Sequence, residues 1–191
     1  MNEQEFLDQQ LALERRHLSE VKNALEAAIA AHFDEHTLDR FCQTCGGYLV
    51  FVLERFNAQE QKHVDLLRPR VTVDEGTFDQ LLADYSLALE ASREAVGRLR
   101  SALEARIGGK VPAAELIAQS KQYIDFYNET LRKRAPLTAA LFARHYKLAD
   151  WRASSFITAD SILEERTRYA AVHAGLPSGI ELKASGAGVS G

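Results

Sequence analysis

Two Glu-x-x-His pairs, Glu14 with His17 and Glu60 with His63, are the residues in this chain best placed by type and spacing to do chemistry. On a helix, a three-residue separation puts a carboxylate and an imidazole on one face. Oxygen and nitrogen donors projecting inward from facing helices suit iron, manganese or zinc. Asp84, Tyr85, His145 and Asp150 extend the donor set. The competing reading is that the glutamates flank the buried stripes in water and the histidines satisfy core edges, as charged residues on amphipathic helices usually do.

A second constellation joins His32 and His36, four apart, to Cys42 and Cys45. Two imidazoles and two thiolates can hold zinc tetrahedrally. A single CxxC on an apolar stripe also fits two free cysteines acting as small core hydrophobes. The dipeptides Glu54-Arg55 and Glu165-Arg166 allow a third chemistry, in which arginines from different helices hold an anion such as nitrate; surface ion pairing is the plainer account. Tyr123, Phe126, Tyr127, Trp151 and Phe156 suit either a ligand pocket or ordinary packing. No nucleophile elbow, phosphate-binding glycine loop or assembled acid, base and nucleophile is present, so no enzyme activity is expected.

Helices must position these groups. Leu7, Leu11, Leu18, Val21, Leu25 and Ala28 recur at three-and-four spacing, with Glu14 on the same stripe. After a break at 32–37, a second stripe runs Cys42, Cys45, Leu49, Val52, Phe56, Gln59, His63 and Leu66, closed by Pro69. A third carries Phe78, Leu82, Tyr85, Leu89, Ser92, Val96, Leu99 and Leu103 and stops at Gly108-Gly109. A fourth opens at Pro112 and runs through Leu116, Tyr123, Tyr127, Leu131, Leu141, His145 and Leu148, with a kink or break at Pro136. A shorter helix is expected from Thr158 to Val172.

Four long amphipathic segments on short connections imply an all-α, up-and-down antiparallel four-helix bundle with one short extra helix. Antiparallel packing would gather Glu14, His17, Glu60, His63, Asp84, Tyr85 and His145 at one end. One domain is expected over 1–174 and a flexible tail over 175–191. The chain has 191 residues, 46% of them hydrophobic, enough for one core and short for two. A net charge of −4 gives no basic stripe for a phosphate backbone, so nucleic acid is not an expected partner. No apolar run approaches the ~20 residues that span a bilayer, and the polar opening MNEQEFLDQQ does not have a signal-peptide pattern. A cytoplasmic location follows as an expectation, with the cysteines reduced.

Several of these stretches resemble one family. YIDFYNETLRKRAPLTAALFARHYKLADWRASSF, Tyr123 to Phe156, is similar to the fourth-helix region of bacterial hemerythrin-like, or HHE cation-binding, proteins. RRHLSEVKNAL resembles their first helix, RFNAQEQKHVDLLRPRV their second and DYSLALEASREAV their third, so the likeness covers about Leu11 to Phe156. The resemblance implies a di-iron or related centre that binds oxygen or senses iron, oxygen or nitric oxide.

Carried over position by position, the resemblance keeps His17, finds Glu60 where a histidine belongs, and finds His63 where the glutamate belongs. Tyr85 replaces a histidine in the third helix. Thr130 and Arg134 replace the histidine and glutamate of the fourth, with His145 and Asp150 as substitutes; a guanidinium repels cations. The resemblance therefore implies a degenerate site: at most one iron, manganese or zinc ion on His17, Glu60, His63, Tyr85 and Glu14, in a sensor or regulatory domain. The alternatives are a metal-free regulator that binds a protein partner or itself through a helical face, and an anion sensor.

Overall fold

The computed structural model describes residues 3–31, 33–71, 76–131 and 141–183, and among these it is all-helical. Helix α1 spans Glu3–Ala30, α2 Glu35–Leu67, α3 Gly76–Ile107 and α4 Ala113–Phe126; α5 is Leu148–Ser154 and α6 Ala159–Ala174. A further helical turn covers 141–145. No helix among the described residues is long and apolar enough to cross a membrane.

Local chemistry sets the boundaries. The Asp34 carboxylate accepts from the Thr37 backbone N–H at 3.0 Å and caps α2. Gly109, at φ +67°, takes the left-handed turn that ends the run after α3. Thr158 caps α6 by accepting from the Ser161 N–H at 3.1 Å, while Ser161 Oγ accepts from the Thr158 N–H at 2.9 Å.

Helix α2 is central, touching α1, α3, α4, α5 and α6; α4 also meets α1 and α3. Its contacts with α3 step down one helix as they step up the other. Arg106 binds Asp39, Arg100 binds Glu54, and Ser92 Oγ donates to Asn57 Oδ1 at 2.8 Å, so the two run antiparallel. The larger core contains Leu25, Phe41, Leu49, Leu99 and Leu116 from α1 to α4, with Val172 from α6. A smaller one, Val64, Leu67, Leu82, Leu89 and Leu141, fills the other end of α2 and α3. The buried Asn57–Ser92 bond lies between them along these helices.

Two stretches carry detail beyond the spacing. The fourth, expected to reach Leu148 with a kink or break at Pro136, widens at Tyr127 into a π-helical turn, Tyr127–Leu131, and among the described residues 146–147 are not helical. That turn brings Asn128 against α1, where it accepts from Lys22 Nζ at 3.2 Å and donates to Glu26 at 3.3 Å. Pro136 and Arg134 lie outside the described residues. Of the tail expected over 175–191, residues 175–183 are described: Leu176, Ile180 and Leu182 pack on the larger core, and Asn23 Nδ2 donates to the Lys183 carbonyl at 3.0 Å. Those apolar side chains recur every two to four residues amid small polar ones, a signal that composition averages away.

Candidate functional site

Among the described residues, a buried polar cluster lies where α1, α2 and α6 meet. Helix α1 supplies Glu14 and His17, α2 supplies Tyr48 and Arg55, and α6 supplies Ser161, Glu165 and Tyr169. Glu14 and Glu165 are both 0% exposed. A carboxylate so placed is stable only with close partners. Glu165 Oε1 lies 2.9 Å from His17 Nδ1 and accepts from the Tyr48 hydroxyl at 2.8 Å. Burial and the neighbouring Glu165 charge push the Tyr48 phenol far above its ordinary range, so it stays a donor. Tyr169 stacks on His17 at 3.7 Å between ring centroids and donates from its hydroxyl to Glu20.

Arg55 serves the other carboxylate. Its Nη2 donates to Glu14 Oε1 at 3.4 Å and to Ser161 Oγ at 3.3 Å, and Gln10 Nε2 donates to the same Glu14 oxygen at 3.4 Å. Arg55 Nη1 stands 3.2 Å from Glu14 Oε2, a charge contact angled away from a hydrogen bond. The guanidinium also lies over the Phe51 ring at 5.2 Å, and the Arg168 guanidinium lies over that ring at 5.0 Å.

The second Glu-x-x-His pair sits elsewhere. His63 is buried at the end of α2, its ring met edge-on by Phe142, Tyr146 and Trp151 at centroid distances of 5.2, 5.3 and 5.5 Å. His63 Nε2 lies 3.0 Å from Ser154 Oγ, and Nδ1 is 3.5 Å from Glu60, too far to make a good hydrogen bond. Tyr85 reaches the same end, its ring 6.2 Å from Phe142. Arg70 clamps this end by donating to Asp150 at 2.5 and 2.8 Å and to the His145 carbonyl at 3.0 Å.

The five predicted ligands therefore divide: Glu14 and His17 at one level, Glu60, His63 and Tyr85 at another. With Glu14 facing Arg55 across antiparallel helices, His17 is level with about residue 52 of α2, and His63 lies roughly 16 Å farther along the axis. Among the described residues, no three His, Cys, Asp or Glu side chains are grouped to hold a metal ion.

The other candidates disperse as well. Cys42 and Cys45 are free and buried, His36 is exposed, and His32 lies outside the described residues. Burial pushes the Cys42 thiol up to about 12 and the Cys45 thiol well above its ordinary value, which disfavours the thiolate at both. Asp84 is exposed and accepts from Gln80, His145 packs edge-on to Phe78, and Thr130 falls in the π turn. Arg55 faces Glu14 while Arg166 is exposed, so they do not converge on one anion. Tyr123, Phe126 and Tyr127 belong to the larger core, Trp151 stands by His63, and Phe156 lies under Lys62 Nζ at 3.8 Å.

Glu165 is the residue that sequence reasoning passed over, having entered only as half of a Glu-Arg dipeptide. It shares a helical face with Ser161, Tyr169 and Val172, and a carboxylate on that stripe is the signal that points to it. Comparison with known proteins finds no family model, no curated protein and no solved structure that matches the chain.

Proposed function

We propose that this chain is a hemerythrin-like up-and-down four-helix bundle whose cation centre has given way to internal ion pairs, and that it works without metal as a regulatory module binding a protein partner through a helical face. Contacts running α1 to α2, α2 to α3, α3 to α4 and α4 back to α1 support the bundle. The observation that carries the metal-free reading is Arg55: a permanent cation 3.2 Å from Glu14, on the level of His17, occupies the charge-compensating position and repels a second cation.

The competing reading places one iron, manganese or zinc ion on His17, Glu60, His63, Tyr85 and Glu14. It requires ligands from levels roughly 16 Å apart to converge, and His63 is already enclosed by three aromatic rings and Ser154. The donor set does not fit the ion.

Metal analysis of tag-free protein, freshly purified, tests this. The expected content is far below one equivalent of iron, manganese and zinc, with identical thermal unfolding in the presence and absence of chelator. Close to one equivalent of any of the three, or a large loss of stability on chelation, overturns the reading.

A further inference from the structure

We infer that Arg55 is a tethered cation in a site built from two buried carboxylates, and that the place its side chain fills is a binding site for an alkylguanidinium. The inference rests on the metal-free reading and adds what replaces the metal's charge. The seam confines two fully buried carboxylates, Glu14 and Glu165, from helices far apart in sequence. Glu165 is served by Tyr48 and His17. Glu14 has the Gln10 amide as a neutral donor and Arg55 as its one ion-pair partner among the described residues.

A second observation is independent of the charge count. Glu14 Oε2, Glu165 Oε2 and Arg55 Nε and Nη1 are all buried and make no hydrogen bond, so the seam carries acceptors and donors beyond those its own bonds use. Phe51 provides an apolar face on which a planar guanidinium rests. Anionic oxygens at the edge and an aromatic face below form a receptor for a planar cation, and Arg55 delivers that cation from within the chain.

Arg55→Ala in the full chain removes the occupant from Cγ outward, and ethylguanidinium has the shape and charge of what is lost. Breaking a buried pair from one side should lower Tm by about 10 °C. Ethylguanidinium at roughly twenty times its Kd should multiply the folded-to-unfolded ratio about twentyfold, a rise of about 5 °C that grows with the logarithm of its concentration. N-ethylurea, nearly isosteric and neutral, should do nothing, and neither compound should move the wild type.

A loss of only a degree or two in Arg55→Ala, or equal rescue by N-ethylurea, overturns the inference. If Arg55→Ala does not fold, the pair Arg55→Met and Arg55→Met with Glu14→Gln decides. Neutralising Glu14 should then restore more than half of the lost Tm, or restore folding, and additive losses refute the built-in cation. Metal found in the wild-type protein would sink the metal-free reading, yet rescue of the variant reads the Arg55 site alone, so the two failures are distinguishable.

Discussion

Glu14-x-x-His17 and Glu60-x-x-His63 are the same motif on neighbouring helices, and the fold treats them in opposite ways. In the first, the glutamate is 0% exposed and paired with Arg55, while the histidine meets a carboxylate from α6. In the second, the Glu60 side chain is 35% exposed and His63 is buried among aromatic rings. Spacing fixes which residues share a face; the helix arriving opposite decides whether that face becomes an ionic network or a hydrophobic socket. A Glu-x-x-His pair is a site only when further donors arrive at its own level.

The largest expected effect separates the two glutamates that bear on the histidines. Glu165→Ala leaves the Tyr48 hydroxyl and His17 without their shared acceptor and should cost about 3 kcal/mol, or about 6–12 °C in Tm. Glu60→Ala at the half-exposed position should cost under about 0.5 kcal/mol by urea denaturation. Equal losses would erase the contrast.

Next come the histidines. His17→Phe leaves the buried Glu165 with Tyr48 as its remaining partner and should cost about 2 kcal/mol, whereas His63→Phe keeps a ring in the socket and loses mainly the Ser154 contact, about 1 kcal/mol. A reversed order in paired denaturation curves would mean that the socket, and not the seam, is the more polar of the two.

The smallest effect is acid sensitivity at the socket end. Hydrogen bonding to Arg70 holds the Asp150 carboxyl at about 2, below its ordinary 3.8. The folded value is the lower one, so this stabilisation is complete above pH 3.8 and is lost as pH falls through about 2. Trp151, the chain's single tryptophan, adjoins Asp150 and reports the change. Its fluorescence midpoint under denaturant should shift between pH 4 and pH 2 in the wild type, and Arg70→Ala should flatten that dependence.

Much of the helical order is legible in the residues themselves. Thr158 marks the start of α6, Gly108-Gly109 the end of α3 and Pro112 the start of α4, because caps, glycine and proline act on their own few residues. The division of the site is less legible, since periodicity specifies a face and says nothing about height along the axis. One clue was present: α1 ends at Ala30 and α2 begins at Glu35, and so tight a connection places His17 opposite the middle of α2, near Tyr48, far from His63. The π turn at Tyr127 had no such clue, because YNETL continues a helical pattern and the widening is tied to the contact of Asn128 with Lys22 and Glu26 on α1.

The seam also imposes an order on the chain's own making. His17 and Glu165 are separated by 148 residues, which take about 7 to 30 seconds to synthesise at roughly 5–20 residues per second. For the 117 residues between Tyr48 and Glu165, the later part of that interval, Tyr48 and His17 are without the acceptor they will share. The nascent α1–α2 hairpin can pair Glu14 with Arg55 early, both lying within the first 55 residues. Sequence order thus makes both partners of the Glu14–Arg55 pair before α6 and its Glu165 are synthesised.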